Sequence, residues 1–317
     1  MKTFFKFGLG MVTFLLAGCS SNNLDEIAPK EESSFPEYNV TMTIPEIGPG
    51  EGETRTTLTY QSGLKMKFAW AEGDVVGVYS DEASGGNLAT FKIKNISASD
   101  PSSANFNGGG FRLIGGNSYT AFCPYNGTAI EQTAVPVDYN GQIQVANDNT
   151  DHLGPFDYMA AKAVASGDNV ANFTFSHLST FLRIRLNVPQ AGTYTSLKIS
   201  APVKAFILKG QVNLLADTPS ITCEDESNIS KEFTVLLGTD GSGINLASDN
   251  MSLIIFVSLP PVDLSGKTLT FTLTESNGRV TEFTKEGLNM AAQTVNGYVP
   301  TVVSGSVTGS GSGYPFG

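Results

Sequence analysis

Short runs of alternating apolar and polar residues, each ended by Gly, Pro, Asp or Asn, fill the chain from Leu64 to Val303 and constrain its fold most. "LATFKIKNI" sets Leu88, Thr90 and Lys92 against Ala89, Phe91 and Ile93, and "KEFTVLL", "MSLIIFVSLP", "TLTFTLTE" and "VTEFTKE" repeat the scheme. Each run is about six to nine residues long, the ordinary length of a strand. Beyond the first twenty residues, no stretch sustains a 3.6-residue apolar period over the length of a helix. Composition agrees, with 34 glycines available for turns and 20 phenylalanines against a single tryptophan. The expectation is an all-β protein.

With 317 residues the chain suits two domains of ordinary size. The turn residues Ser166-Gly167-Asp168 divide it into two sandwich-like units, 56–168 and 169–303. In the first unit, Ala71-Glu72-Gly73-Asp74 reads as a hairpin turn joining "LKMKFAW" to "VVGVY". "FRLIGGNSYTAFCPYN" reads as strand, turn and strand, and residues 140–154, rich in Gln, Asn and Asp, read as a loop. The second unit opens on "VANFTFSHLSTFLRIRLNV", a long strand pair carrying Phe173, Phe175 and Phe181. Near its end, Val299, Thr301, Val303 and Val307 share one parity, with Gly305 between. Residues 304–317 are a flexible Gly/Ser tail that, at ~3.3 Å per residue, reaches ~45 Å.

The front of the chain is built differently. Lys2 and Lys6 make a basic start, and "FGLGMVTFLLAG" supplies an apolar run of about a dozen residues. That is short of the ~20 residues needed to span a bilayer and right for a signal-peptide core. It ends in "LLAGC", which resembles the lipobox of bacterial lipoproteins, so residues 1–18 read as a signal peptide and Cys19 as the lipidated terminus. Two or three acyl chains hold a protein to a membrane with no spanning helix. Asp25 and Glu26 follow closely; such acids accompany outward export in some Gram-negative lipoproteins, and they equally solvate a tether. Residues 1–18 carry a net charge of +2, residues 19–55 −6 and the remaining 262 residues −7. Within this tether, "NVTMTIPEIGPGEGETRTTL" places a good strand, with Val40, Met42 and Ile44 on its buried face, before an open loop ending at Arg55.

Little in the chain speaks for chemistry. A charge of −11 and a pI near 4.6 argue against nucleic acid, which needs clustered Lys and Arg. His152 and His177 are the only histidines, and no G-x-S-x-G elbow accompanies them. His177 lies in a Phe-rich strand and reads as packed. Asp148, Asp151 and His152 group in "NDNTDH", but the spacing misses the EF-hand pattern and a solvated loop is expected, with no metal and no cofactor. Trp70, at a strand end beside Phe68, reads as core rather than as a sugar-stacking platform. Cys123 and Cys223 lie about 100 residues apart, in what read as different domains, and are expected to be free thiols.

Taken together, "FAWAEGDVVGVYS", "YTAFCPYN", "FDYMAAKA" and "FTFSHLSTFLRIRL", behind a lipoprotein leader, resemble the fimbrillin family, the pilins of type V pili. The resemblance implies two tandem transthyretin-like β-sandwich domains. It also implies a precursor that travels as an outer-membrane lipoprotein, held there through lipid on Cys19 before processing. An arginine-specific protease would then cut the leader, here between Arg55 and Thr56. Val40, Met42 and Ile44 would leave with it, and a strand from another pilin subunit would fill the slot, building a cell-surface fimbrium for adhesion or biofilm formation. A shaft subunit of that family donates an alternating apolar C-terminal strand, and the fading alternation after Val307 fits this less well. Either Val299, Thr301, Val303 and Val307 are the candidate donor strand and the rest a loose end, or the subunit sits at a tip or other minor position. The competing reading is a surface glycan-binding lipoprotein of a nutrient-uptake system, marked by an exposed row of two or three aromatics on one face and by quenching of Trp70 fluorescence on adding sugar. A hydrolase would need a carboxylate pair or triad that the sequence does not offer.

Overall fold

A computed structural model describes residues 37–47, 59–61, 65–80, 87–109, 111–127, 131–287, 289–292, 295–298 and 301–302. All of them belong to one compact unit, Pro36–Gly317. Strands dominate, and the described helical turns are three short 3-10 segments, Asp151–Phe156, Glu226–Asn228 and Thr239–Gly241.

The first large sheet has eight strands. From one end they are Val170–Thr174, Asn39–Thr43, Ser103–Gly109, Leu88–Ile96, Val75–Tyr79, Ser118–Cys123, Met159–Val164 and Ser176–His177. The two end strands are separated in sequence by Phe175 alone, so the sheet curls until its ends meet. It wraps a core that includes Trp70, Phe91, Phe106, Phe173, Phe175 and Phe181. Asn169 makes the sharp entry into the 170–174 strand: its φ of 55° lies in the left-handed region that Asn tolerates. Its side-chain oxygen accepts from Leu113 N at 3.0 Å and its own N–H donates to Leu113 O at 3.0 Å, so the turn is fixed on both sides.

The second half packs two sheets against each other. In one, Thr180–Val188 lies between Met251–Leu259 and Val295–Tyr298, antiparallel to the former and parallel to the latter. In the other, Gly192–Ser200 lies between Thr268–Glu275 and Glu232–Leu237. Strict alternation puts Phe233, Val235 and Leu237, and likewise Leu269, Phe271 and Leu273, into the core between the sheets.

Three details differ from the sequence reading. The 71–74 turn forms, closed by Asp74 N–H donating to Ala71 O at 3.0 Å, but it joins no hairpin. Lys65–Lys67 pairs with Thr59–Gln61, while Val75–Tyr79 pairs with Leu88–Ile96 and Ser118–Cys123. Between them Phe68, Ala69 and Trp70 are all buried, so the chain dives into the core instead of reversing beside itself. Second, the 169–188 stretch is no strand pair: 170–174 and 176–177 close the first sheet, while 180–188 anchors the second half. Third, residues 140–154 are not a free loop. Ile143–Gln144 pairs with the 232–237 strand, and Val135–Asp138, just ahead of this stretch, pairs with Lys209–Val212, so residues 135–144 lend strands to the second half.

Candidate functional site: the first strand and its slot

Asn39–Thr43 is an interior strand, parallel to 170–174 on one side and antiparallel to 103–109 on the other. Its sequence explains the placement. Val40, Met42 and Ile44 point inward and are 0, 0 and 1% exposed, while the threonines between them lie on the other, half-exposed face. Thr41 Oγ1 donates to Asn105 Oδ1 at 3.1 Å there. Burying three such side chains contributes roughly 5–9 kcal/mol at ~1.5–3 kcal/mol each. A whole domain is stable by only ~5–15 kcal/mol, so this strand is a large share of what holds the first sheet together.

Two buried side-chain donors fix its path. Trp70 Nε1 donates to Met42 O at 2.9 Å, with the indole ring packed edge-on to Phe106 and Phe175. His177 Nε2 lies 3.0 Å from Pro45 O; a carbonyl only accepts, so Nε2 carries the hydrogen. The other ring nitrogen, Nδ1, lies 2.8 Å from Asp157 Oδ1. Burial pushes the Asp157 carboxyl up from its ordinary value, and the nearby imidazole partly offsets this. Asp157 Oδ2 has no hydrogen-bond partner among the described residues. At the rim, Lys67 pairs with Glu46 at 3.2 Å and Lys94 pairs with Glu37. Ile47 forms a bridge with Met66.

Trp70 is 1% exposed and offers no face to a sugar. His177, 1% exposed, is packed against Phe68 with ring centroids 4.0 Å apart. Cys123 is buried and Cys223 half-buried, and both are free; burial, then the neighbouring Asp74 and Asp157, pushes the Cys123 thiol well up. Of the candidate donor residues, Thr301 is described, and it pairs with Thr284 of the 280–286 strand. Val299, Val303 and Val307, and likewise Cys19, Arg55 and Thr56, lie outside the described residues. Among the described residues no His, Cys, Asp and Glu group suited to a metal occurs, and no helix is long and apolar enough to cross a membrane. Sequence reasoning missed Gln142 and Gln144, both 0% exposed. Their common parity was the available signal.

Architecture and slot together define a strand-built protein whose N-terminal strand is an interior stave of its first sheet. The fimbrillin-like family matches residues 54–308, and the chain belongs to that family. Membership places it among structural subunits of cell-surface fimbriae and not among enzymes. A provisional cell adhesion protein from Bacteroides ovatus shares the fold with a TM-score of 0.50 at 14% identity, over 84% of this chain and 95% of that one. A second, from Bacteroides uniformis, gives 0.49 at 19% identity over 76% and 90%. A fimbrial assembly protein from Parabacteroides distasonis gives 0.38 at 8% identity over 84% and 92%. No curated protein matches the chain.

Proposed function

We propose that this fimbrial subunit is exported as a lipoprotein on Cys19, reaches the outer membrane, and is cut between Arg55 and Thr56. The 39–47 segment then leaves, and a strand from another pilin subunit occupies the slot, so that subunits join into a fimbrium that supports adhesion or biofilm formation. We read the body as two tandem transthyretin-like sandwiches, with Val299, Thr301, Val303 and Val307 as the strand each subunit offers. One observation carries the reading: an interior strand, with Val40, Met42 and Ile44 almost wholly buried, lies just ahead of the proposed cut. Its loss leaves an apolar slot flanked by two unpaired strand edges, which is the surface that strand addition fills. The family match starts at residue 54, beside Arg55, in keeping with a body that functions without its leader.

The test is mild digestion with an arginine-specific protease, followed by N-terminal sequencing and size-exclusion chromatography. A new terminus at Thr56 together with heat-resistant oligomers is expected. A protein that is cut there and stays monomeric would overturn the strand-exchange reading.

A further inference from the structure

The outer edge of the 251–259 strand carries a row of main-chain groups that no neighbouring strand among the described residues takes. The 180–188 strand covers one side of it, and the outward groups belong to Ser252, Ile254, Phe256 and Ser258. One short segment meets them in turn, chiefly with its side chains. Asn147 Nδ2 donates to Ser252 O at 3.0 Å, and Asn147 Oδ1 accepts from Ile254 N at 2.8 Å. Gln144 Nε2 donates to Ile254 O at 2.8 Å, and Gln144 Oε1 accepts from Phe256 N at 2.8 Å. His152 Nε2 lies 3.1 Å from Phe256 O and carries the hydrogen toward it. Gln142 Oε1 accepts from Ser258 N at 3.0 Å, and Gln142 Nε2 donates to Ser258 O at 2.7 Å.

A primary amide presents one donor and one acceptor side by side, as a peptide unit does, so each of these side chains replaces one rung of a partner strand. The same segment uses its own main chain elsewhere: Leu236 N–H donates to Gln142 O at 3.0 Å and Gly238 N–H to Gln144 O at 2.8 Å. One stretch of chain therefore closes the margins of both second-half sheets, one with its backbone and the other chiefly with its side chains, which the Asp148 N–H supplements by donating to Ile254 O at 3.2 Å. An open row of such groups is a template for pairing with another molecule.

We propose that Gln142, Gln144, Asn147 and His152 form an edge guard that keeps the 251–259 strand from accepting a strand of a second copy of this chain. Given the strand-exchange reading above, on which this last step rests, the guard confines subunit contacts to the first-strand slot and prevents branching.

The experiment compares uncleaved wild-type protein with Asn147→Ala and with Gln144→Ala/Asn147→Ala by light scattering and amide hydrogen exchange. In the wild type, the amides of Ile254, Phe256 and Ser258 should exchange as slowly as those of Leu253, Ile255 and Val257, which face the 180–188 strand. Asn147→Ala should speed exchange at Ile254 about tenfold and leave Leu253 unchanged. The double variant should associate at concentrations where the wild type is monomeric, with its first strand still in place. Unprotected amides at Ile254, Phe256 and Ser258 in the wild type, or a folded double variant that stays monomeric, would overturn the proposal. Asn147 is exposed, so the single variant carries the same comparison should the pair fail to fold. Cleaved wild-type protein runs in parallel: its failure to polymerise would sink the strand-exchange reading and leave the guard to be judged on the uncleaved arm.

Discussion

The indole N–H of Trp70 donates to the main-chain oxygen of Met42 across 2.9 Å, tying the only tryptophan of the chain to its first strand. The ring sits 4.9 Å from Phe106 and 5.7 Å from Phe175, in a site that water reaches only once the strand has gone. Emission from this residue should therefore shift to the red during cleavage at Arg55 and return when a 37–47 peptide is added back. Spectra recorded through the digestion check this, and an unchanged spectrum in protein that has lost residues 39–47 would contradict the slot geometry.

Met42→Ala should lower the stability of the uncleaved protein by ~2–5 kcal/mol, the usual cost of truncating a buried side chain of this size. The cleaved protein, lacking that residue, should be indifferent to the substitution. Urea titrations of both forms separate the two cases.

His177→Ala should be more damaging than its size suggests. It strands the buried Asp157 carboxyl and leaves Pro45 O without its donor. Breaking one side of a buried pair costs ~3–5 kcal/mol. Replacing both members together, as His177→Ala with Asp157→Ala, should cost less than the two single losses combined. A double-mutant cycle measures the difference.

Burial lowers His152 from 6.5 to about 4, with the Phe256 carbonyl and Asp151 acting weakly the other way. The unfolded chain takes up a proton below about pH 6.5, whereas the folded protein stays neutral until about pH 4. The stabilisation is thus fully present above pH 6.5 and is lost as the pH falls through that window, by up to roughly 3 kcal/mol at 1.36 kcal/mol per pKa unit. His152→Gln retains a donor toward Phe256 O and does not titrate. Denaturation at pH 4.5 and pH 7 should show a smaller loss for the variant than for the wild type.

Thiol labelling should distinguish the two described cysteines. Cys223 is half-buried and should react in the folded protein at pH 8, while Cys123, buried and with its thiol pushed well up, should react only on unfolding. Peptide mapping after labelling reads both sites.

Much of this architecture could be read from period-two alternation. Val40, Met42 and Ile44 were legible as a buried set because they alternate with Thr41 and Thr43, and Trp70 was legible as core from its place beside Phe68. The hairpin assigned to 71–74 failed because a good turn signal says nothing about which strands it joins. Residues 68–70 cross into the core, and pairing partners are set by the sheet as a whole. The amides of Gln142, Gln144 and Asn147 looked like a solvated loop because polarity usually means water. Their partners on the 251–259 strand lie more than 100 residues away in sequence, so only the folded chain brings them together. His152 was hidden for the same reason.

The curling of the first sheet so that 170–174 and 176–177 meet at Phe175 has a topological corollary. Seven of its eight strands have other described strands before and after them in the chain and could be withdrawn only by unthreading these. A single backbone scission between residues 48 and 58 would leave Asn39–Thr43 held to the body by noncovalent contacts alone, so that on the proposed cleavage its departure would give the closed wall a vacancy of fixed width and direction.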